Sequence, residues 1–181
     1  LVIGLPVLVV NDDVAAVWQT SLWVLSAVTM IVGNLVAISQ TNVKRLLAYS
    51  SIANAGYVLM AVAAAGTASV ASMATQSALV YLLAYTFTNV GAFAVVIMLE
   101  RNDGTGTDIT DFIGLSRSRP LLAMAMAIFM LSFTGIPLTA GFTGKWLVFQ
   151  ASLEAGLVPL AIIGVLTSVL SAYYYVRIIV N

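Results

Sequence analysis

Polar residues in this chain are gathered into short breaks between five long apolar stretches, at about 14–39, 44–65, 73–99, 120–153 and 157–180. A bilayer hydrocarbon core of about 30 Å needs about 20 apolar residues per crossing helix, so each stretch is long enough to span. Strands are the alternative for a membrane chain, but barrel strands alternate over about ten residues between turns. Segments 121–133 and 157–170 are apolar on both parities, and the pattern therefore predicts helices. The expected fold class is an all-α polytopic membrane protein of five spans. Residues 1–10 are too short to cross and read as the tail of a preceding helix, with 11–181 forming a single five-helix unit. The chain begins with Leu1, and 1–10 carry no basic n-region before a small-residue cleavage site. A piece of a longer polytopic protein is the expectation.

Composition agrees with this reading and narrows the function. Hydrophobic residues make up 61% of the chain and charged residues 8%, with a mean hydropathy of +1.06. A soluble domain carries about 25% charged residues, so seven Lys/Arg and seven Asp/Glu cannot clothe a soluble enzyme of this size. Nor is there a basic excess to bind nucleic acid. The absence of cysteine removes disulfides, thiolate nucleophiles and iron–sulfur ligands, and the absence of histidine removes the usual haem and zinc donors.

The basic residues supply an orientation. Lys44 and Arg45 lie between spans one and two, Arg101, Arg117 and Arg119 between spans three and four, and Arg177 at the end of span five. Five alternating spans put all six on one side, which the positive-inside rule makes cytoplasmic. Asp12, Asp13 and Glu154 fall on the other side. The loop 100–120 holds Asp103, Asp108 and Asp111, but their spacing is not that of an EF-hand. A plain cytoplasmic connector is expected, with a short interfacial turn at 109–115. Tyr173–Tyr175 beside Arg177 read as a membrane-interface anchor.

Lys145 stands apart from the other cations because apolar sequence continues on both sides of it. A charged lysine at mid-membrane is disfavoured by about 2.5–3.5 kcal/mol on insertion scales, and such a residue is by default functional. The alternative is an amine that snorkels to the outer interface. Residues 120–153 would form a helix of about 51 Å, far longer than the membrane core, with Gly135 and Pro137 in its middle. Pro137 removes a backbone donor, so the fourth span is predicted to break near 134–138. Broken helices at membrane depth line protein or water and mark ion sites in transporters; a simple proline kink is the plainer alternative. Gly141 and Gly144 leave room beside Lys145 for a neighbouring helix or for water.

Two polar stripes accompany the lysine. At about 100° per residue, Ser50, Ser51, Asn54 and Tyr57 share an arc of about 140° on span two, with Lys44 at its edge. Ser77, Tyr81, Tyr85, Thr88 and Asn89 share about 120° of span three. The stripe on span two can glue helices together, carry protons, or do both, whereas the hydroxyls and amides of span three can hold ordered water but cannot store a proton near neutral pH, and helix packing is the expectation there. Gly33 in span one predicts close helix contact, and Asn34 is given no chemistry.

The segments GNLVAISQTNVKRLLAYSSIANAGY (33–57), YLLAYTFTNVGAF (81–93) and MLSFTGIPLTAGFTGK (130–145) occur in this order through most of the chain. They closely resemble the N subunits of bacterial NADH–quinone oxidoreductase (respiratory complex I), homologues of mitochondrial subunit 2. The resemblance implies an antiporter-like fold of two inverted five-helix repeats, of which this chain is the second, with the broken span as the discontinuous helix. It implies a proton-translocating membrane subunit, a translocase component, placed in the bacterial inner membrane among other complex I membrane subunits. Lys145 and Lys44 would carry the proton transfer. Ser50, Ser51, Asn54, Tyr57, Tyr81, Tyr85 and Asn89 would form the polar path. NADH, FMN, iron–sulfur clusters and quinone would belong to partner subunits, with no cofactor bound by this chain. Related antiporter-like subunits place lysine and histidines where this chain has Asn89, Tyr85 and Tyr81, which favours the N assignment. Asn54 stands where the N family often has histidine, and Leu138 where it often has a second proline, so a milder break is expected. Two rival functions are a subunit of a multisubunit sodium/proton antiporter and a structural membrane subunit with a vestigial channel.

Overall fold

A computed structural model describes residues 12–101 and 104–180, the side chains of 12–15 excepted. The expected tail at 1–10, Asp103, and the side chains of Asp12 and Asp13 lie outside the described residues. Among those described, the chain is helical throughout, with no strand: α1 (Asp12–Ile38), α2 (Val43–Ala64), α3 (Ala71–Leu99), a 3-10 turn (Ile109–Phe112), α4 (Leu115–Ser118), α5 (Pro120–Thr134), α6 (Ala140–Glu154) and α7 (Val158–Val180). Four helices are long and apolar enough to cross a membrane, within α1, α2, α3 and α7, and α5 is a shorter apolar helix. The fourth apolar stretch is thus two helices. The break is complete rather than mild: without a second proline the chain still leaves the helix, and Leu138 takes a left-handed φ of 80°.

Packing follows from where the small residues lie. α1 runs along α2, where a Cβ on Gly33 would stand 2.6 Å from the Ala53 nitrogen, so only glycine permits this approach. Two apolar clusters fill the interior. One gathers Leu46, Leu47, Val96, Met126, Met130, Phe133, Tyr174 and Tyr175, and the other Met30, Tyr57, Met60, Tyr81, Val148 and Leu160. Large apolar side chains on the outside, such as Leu83, Phe87, Val90 and Ile97 on α3, are exposed. That surface suits hydrocarbon or neighbouring apolar helices rather than water.

Two expectations about the ends are corrected. The loop after α3 is not a plain connector. Thr107 O accepts from Val43 N at 2.8 Å and Thr41 O from Ile109 N at 2.8 Å. The Asn42 amide reaches Thr107 Oγ1 and Asp108 Oδ1, while its oxygen caps α2 through the N–H groups of Lys44 and Arg45. Ile109, Phe112 and Leu115 then bury their side chains in the first cluster. The turn at 109–115 therefore plugs this end of the bundle. Nor is Tyr173–Tyr175 a uniform interface anchor. Only Tyr173 is exposed, whereas Tyr174 and Tyr175 are buried because three consecutive residues cannot share one helix face. Tyr174 Oη donates to Asn34 Oδ1 at 2.9 Å, giving Asn34 a tertiary role that its sequence position did not reveal.

Candidate functional site: a buried lysine at a helix break

The site begins with how α5 ends. Gly135 adopts φ 82°, a left-handed conformation that glycine takes without the Cβ penalty. Its N–H reaches Ser132 O at 3.0 Å and the Ile136 N–H reaches Leu131 O at 3.2 Å, the Schellman pattern of helix termination. Pro137 cannot donate and cannot resume the helix. Thr139 then starts α6, its Oγ1 accepting from Phe142 N at 3.3 Å. The last two carbonyls of α5, those of Phe133 and Thr134, are left without helical partners.

Lys145 supplies those partners. From the second turn of α6 its Nζ donates to Phe133 O at 2.8 Å, to Thr134 O at 3.2 Å and to Ser168 Oγ of α7 at 2.9 Å. The three donors of an ammonium thus meet three neutral oxygens. The amine also lies 5.3 Å from the Tyr57 ring centroid, within cation–π range. Lys145 is 6% exposed, so it does not snorkel out of this unit. The negative end of the α5 dipole faces it. The described residues place no carboxylate among its hydrogen-bond partners.

The glycines expected to leave room beside Lys145 admit helices. A Cβ on Gly141 would collide with the Ser132 carbonyl, and one on Gly144 would stand 2.9 Å from the Tyr81 ring. α6 therefore seats against α5 and α3, and Lys145 is carried inward. Beside it is a small cavity of about 10 Å³, lined by Asn54, Tyr81, Tyr85, Thr88, Ser132 and Lys145 among others. That volume is about what one water requires.

From this cavity a polar network leads towards the basic end. Tyr81 Oη donates to Asn54 Oδ1 at 2.6 Å. The Asn54 amide donates to Ser50 O at 2.8 Å, Ser50 Oγ at 3.2 Å and Tyr175 Oη at 3.3 Å, and the Ser50 and Tyr175 hydroxyls bond to each other. Tyr57 Oη donates to Gly164 O at 3.2 Å and bonds Thr167 Oγ1 at 3.3 Å. The hydroxyls of Thr88 and Ser132 are 3.1 Å apart.

The fold thus brings Lys145, Asn54, Tyr57, Tyr81, Tyr85 and Gly135 together. Ser51 donates to Leu47 O within its own helix, and its side chain also meets that of Tyr85. Others are left apart. Lys44 forms an ion pair with Glu100 at the end of α3, both side chains partly exposed. Among the described residues, nothing hydrogen-bonds the buried Asn89 Oδ1. Sequence reasoning missed Ser132, Thr167, Ser168 and Tyr175. The signal for α7 was present: Gly164, Thr167, Ser171, Tyr174 and Ile178 recur at helical spacing and are all buried.

Residues 2–171 match the family model described as NADH:quinone oxidoreductase/Mrp antiporter, TM. NADH-quinone oxidoreductase subunit N of Trichlorobacter lovleyi is 48% identical over 173 residues, 96% of this chain and 34% of that protein. Subunit N 1 of Herpetosiphon aurantiacus is 51% identical over 164 residues, 91% of this chain and 32% of that protein. Among solved structures, a chain of respiratory complex I from Thermus thermophilus with bound aureothin superposes with a TM-score of 0.77 at 39% identity, covering 89% of this chain and 35% of its own length. A chain of the Mrp complex from Dietzia sp. DQ12-45-1b shares the fold, with a TM-score of 0.71 at 23% identity over 92% of this chain and 30% of its own. The chain spans about a third of the length of the curated relatives it matches. With a discontinuous fourth span, a lysine at its break and a family match over nearly all of its residues, the chain belongs to the NADH:quinone oxidoreductase/Mrp antiporter transmembrane family, alongside sequences named NADH-quinone oxidoreductase subunit N.

Proposed function

We propose that this chain is one antiporter-like half of a proton-translocating membrane subunit of bacterial NADH–quinone oxidoreductase. In this reading it lies in the cell membrane with its Lys44/Arg45 and Arg101–Arg119 end in the cytoplasm. The observation that carries the proposal is Lys145, buried at a helix break and held by two freed carbonyls and a serine. Burial disfavours the charged form of an amine, so a lysine in this setting is able to release and regain a proton. Lys145 is the proton carrier. Asn54, Tyr57, Tyr81 and Tyr85 order water beside it, with Asn89 further along α3. Lys44 with Ser50 and Ser51 forms the cytoplasmic access, and Gly135 and Pro137 let the break admit water. NADH, FMN, iron–sulfur clusters and quinone act in partner subunits. Protons move here in response to redox chemistry carried out there.

Lys145→Ala in the intact subunit, within the whole complex in inverted membrane vesicles, tests this. NADH oxidation and proton uptake are recorded together. We expect uptake per NADH to fall severalfold. Unchanged NADH-driven uptake would leave the lysine structural and the channel vestigial. The fold shared with the Mrp complex gives the sodium/proton antiporter reading its footing. Proton exchange that needs sodium and ignores NADH would establish that rival.

A further inference from the structure

Among the described residues, Ser168 is the one side-chain oxygen that holds the Lys145 amine, and it comes from a third helix, α7. Its neighbours use their hydroxyls differently. Thr167 donates back to Ile163 O at 2.8 Å and Gly164 O at 3.0 Å, and Ser171 donates back to Ser168 O at 2.7 Å. The Ser168 hydroxyl instead accepts from the Lys145 amine at 2.9 Å.

The three partners of Lys145 are not chemically equivalent. The carbonyls of Phe133 and Thr134 only accept. They satisfy an ammonium, which has three donors and no lone pair, but they offer nothing to the lone pair of a neutral amine. A hydroxyl accepts and donates. When the ammonium gives up one proton, the amine keeps two N–H donors for the carbonyls and gains a lone pair. The Ser168 O–H can rotate to donate to it, so the amine retains three partners in both states. One N–H bond of Lys145 breaks and one O–H bond forms on a water in the adjoining cavity beside Asn54, Tyr81 and Tyr85, which takes the proton and passes it on, while Ser168 keeps its own proton.

We propose that Ser168 is the positioning residue for proton exchange at Lys145, a hydroxyl that reverses its hydrogen bond as the amine changes state. Through it α7 holds the amine against the α5–α6 break in both states. The proposal rests on the proton-carrier reading of Lys145. The titratable side chains around the amine are Tyr57 on α2 and Tyr81 and Tyr85 on α3. α5 contributes no charged residue, the Glu154 of α6 is bonded to Gln150 one turn from the far end, and the Arg177 of α7 lies at the opposite end of that helix.

Ser168→Ala, Ser168→Thr and Lys145→Ala are compared in the whole complex in inverted vesicles, each normalised to the subunit content of the membrane. Proton uptake per NADH is measured across pH. We expect Ser168→Ala to lower uptake about threefold to tenfold. Its pH profile should move by about one unit, the scale of the difference between a hydrogen bond to a charged group and one to a neutral group. Ser168→Thr, which keeps the hydroxyl, should restore both. If Ser168→Ala does not assemble, Ser168→Cys removes the hydroxyl while keeping a side chain of similar shape with only a weak donor and acceptor. Uptake and pH profile unchanged in the hydroxyl-free variant, while Lys145→Ala loses uptake, would overturn the role of Ser168 alone. So would a Ser168→Thr that fails as deeply as Ser168→Ala. Normal uptake in Lys145→Ala would overturn the reading on which this one rests.

Discussion

Lys145 serves two ends at once, and the reason is local. A helix that stops inside a membrane must satisfy its last carbonyls, and a cation is the natural cap for the negative end of a helix dipole. The same residue that closes α5 is therefore the one proposed above to exchange protons. Two glycines at the break, Gly135 and Gly141, differ in what they permit. Gly135 is needed for its left-handed backbone, and a Cβ there would also stand 3.1 Å from Lys145 Cδ. Gly141 is needed for space, because the Ser132 carbonyl occupies the place of a side chain. Gly141→Ala should destabilise the subunit by about 1–3 kcal/mol, the range for overpacking. Gly135→Ala should cost about 1–2 kcal/mol through its backbone and also disturb the amine. Thermal inactivation of the intact complex measures the first. In the second, proton uptake per NADH should fall further than the loss of assembled subunit explains.

Between elements, the ends of α2 and α3 are tied by Lys44 and Glu100 and by the loop docked on Asn42. Both members of the ion pair are partly exposed, at 34% and 26%, and pairs of this kind contribute about 0–1 kcal/mol. Glu100→Gln should therefore change the stability of the subunit by less than about 1 kcal/mol in a denaturation assay. If Lys44 admits protons to the Ser50–Asn54 network, Lys44→Ala should lower proton uptake while Glu100→Gln leaves it near the wild-type level. Equal losses in both would make the pair a strut and remove Lys44 from the proposed path.

At the scale of the molecule, six of the seven basic residues cluster at one end of the bundle. Arg119 Nη1 reaches Met98 O at 3.0 Å, and Ile178 beside Arg177 packs with Phe112 and Leu115. The seventh is Lys145. This asymmetry gives a sidedness that can be measured, because the chain has no cysteine of its own. Ser116→Cys, at an exposed position on α4, should react with an impermeant maleimide in inverted vesicles and not in intact cells. Glu154→Cys, exposed at the end of α6, should show the reverse. The assay uses an intact subunit cleared of other cysteines. The opposite pattern would invert the proposed orientation.

Much of this was legible along the chain. Long apolar runs force helices, because no other open structure satisfies its backbone in hydrocarbon. Gly135 and Pro137 mark the break because their constraints act on the backbone itself, and an isolated lysine in apolar sequence is conspicuous whatever it touches. What the sequence left open was partnership. Lys44 and Lys145 are the same residue type, yet one meets a carboxylate at the surface and the other two orphan carbonyls and a serine twenty-three residues away. Tyr173 and Tyr174 are neighbours in sequence, yet one is exposed and the other holds Asn34 across the bundle. Periodicity names the face of a helix but not what stands opposite it. Which polar stripe becomes a network and which hydroxyl meets the amine are settled only when the helices pack, because hydrogen bonds reach about 3 Å and those distances belong to the tertiary structure.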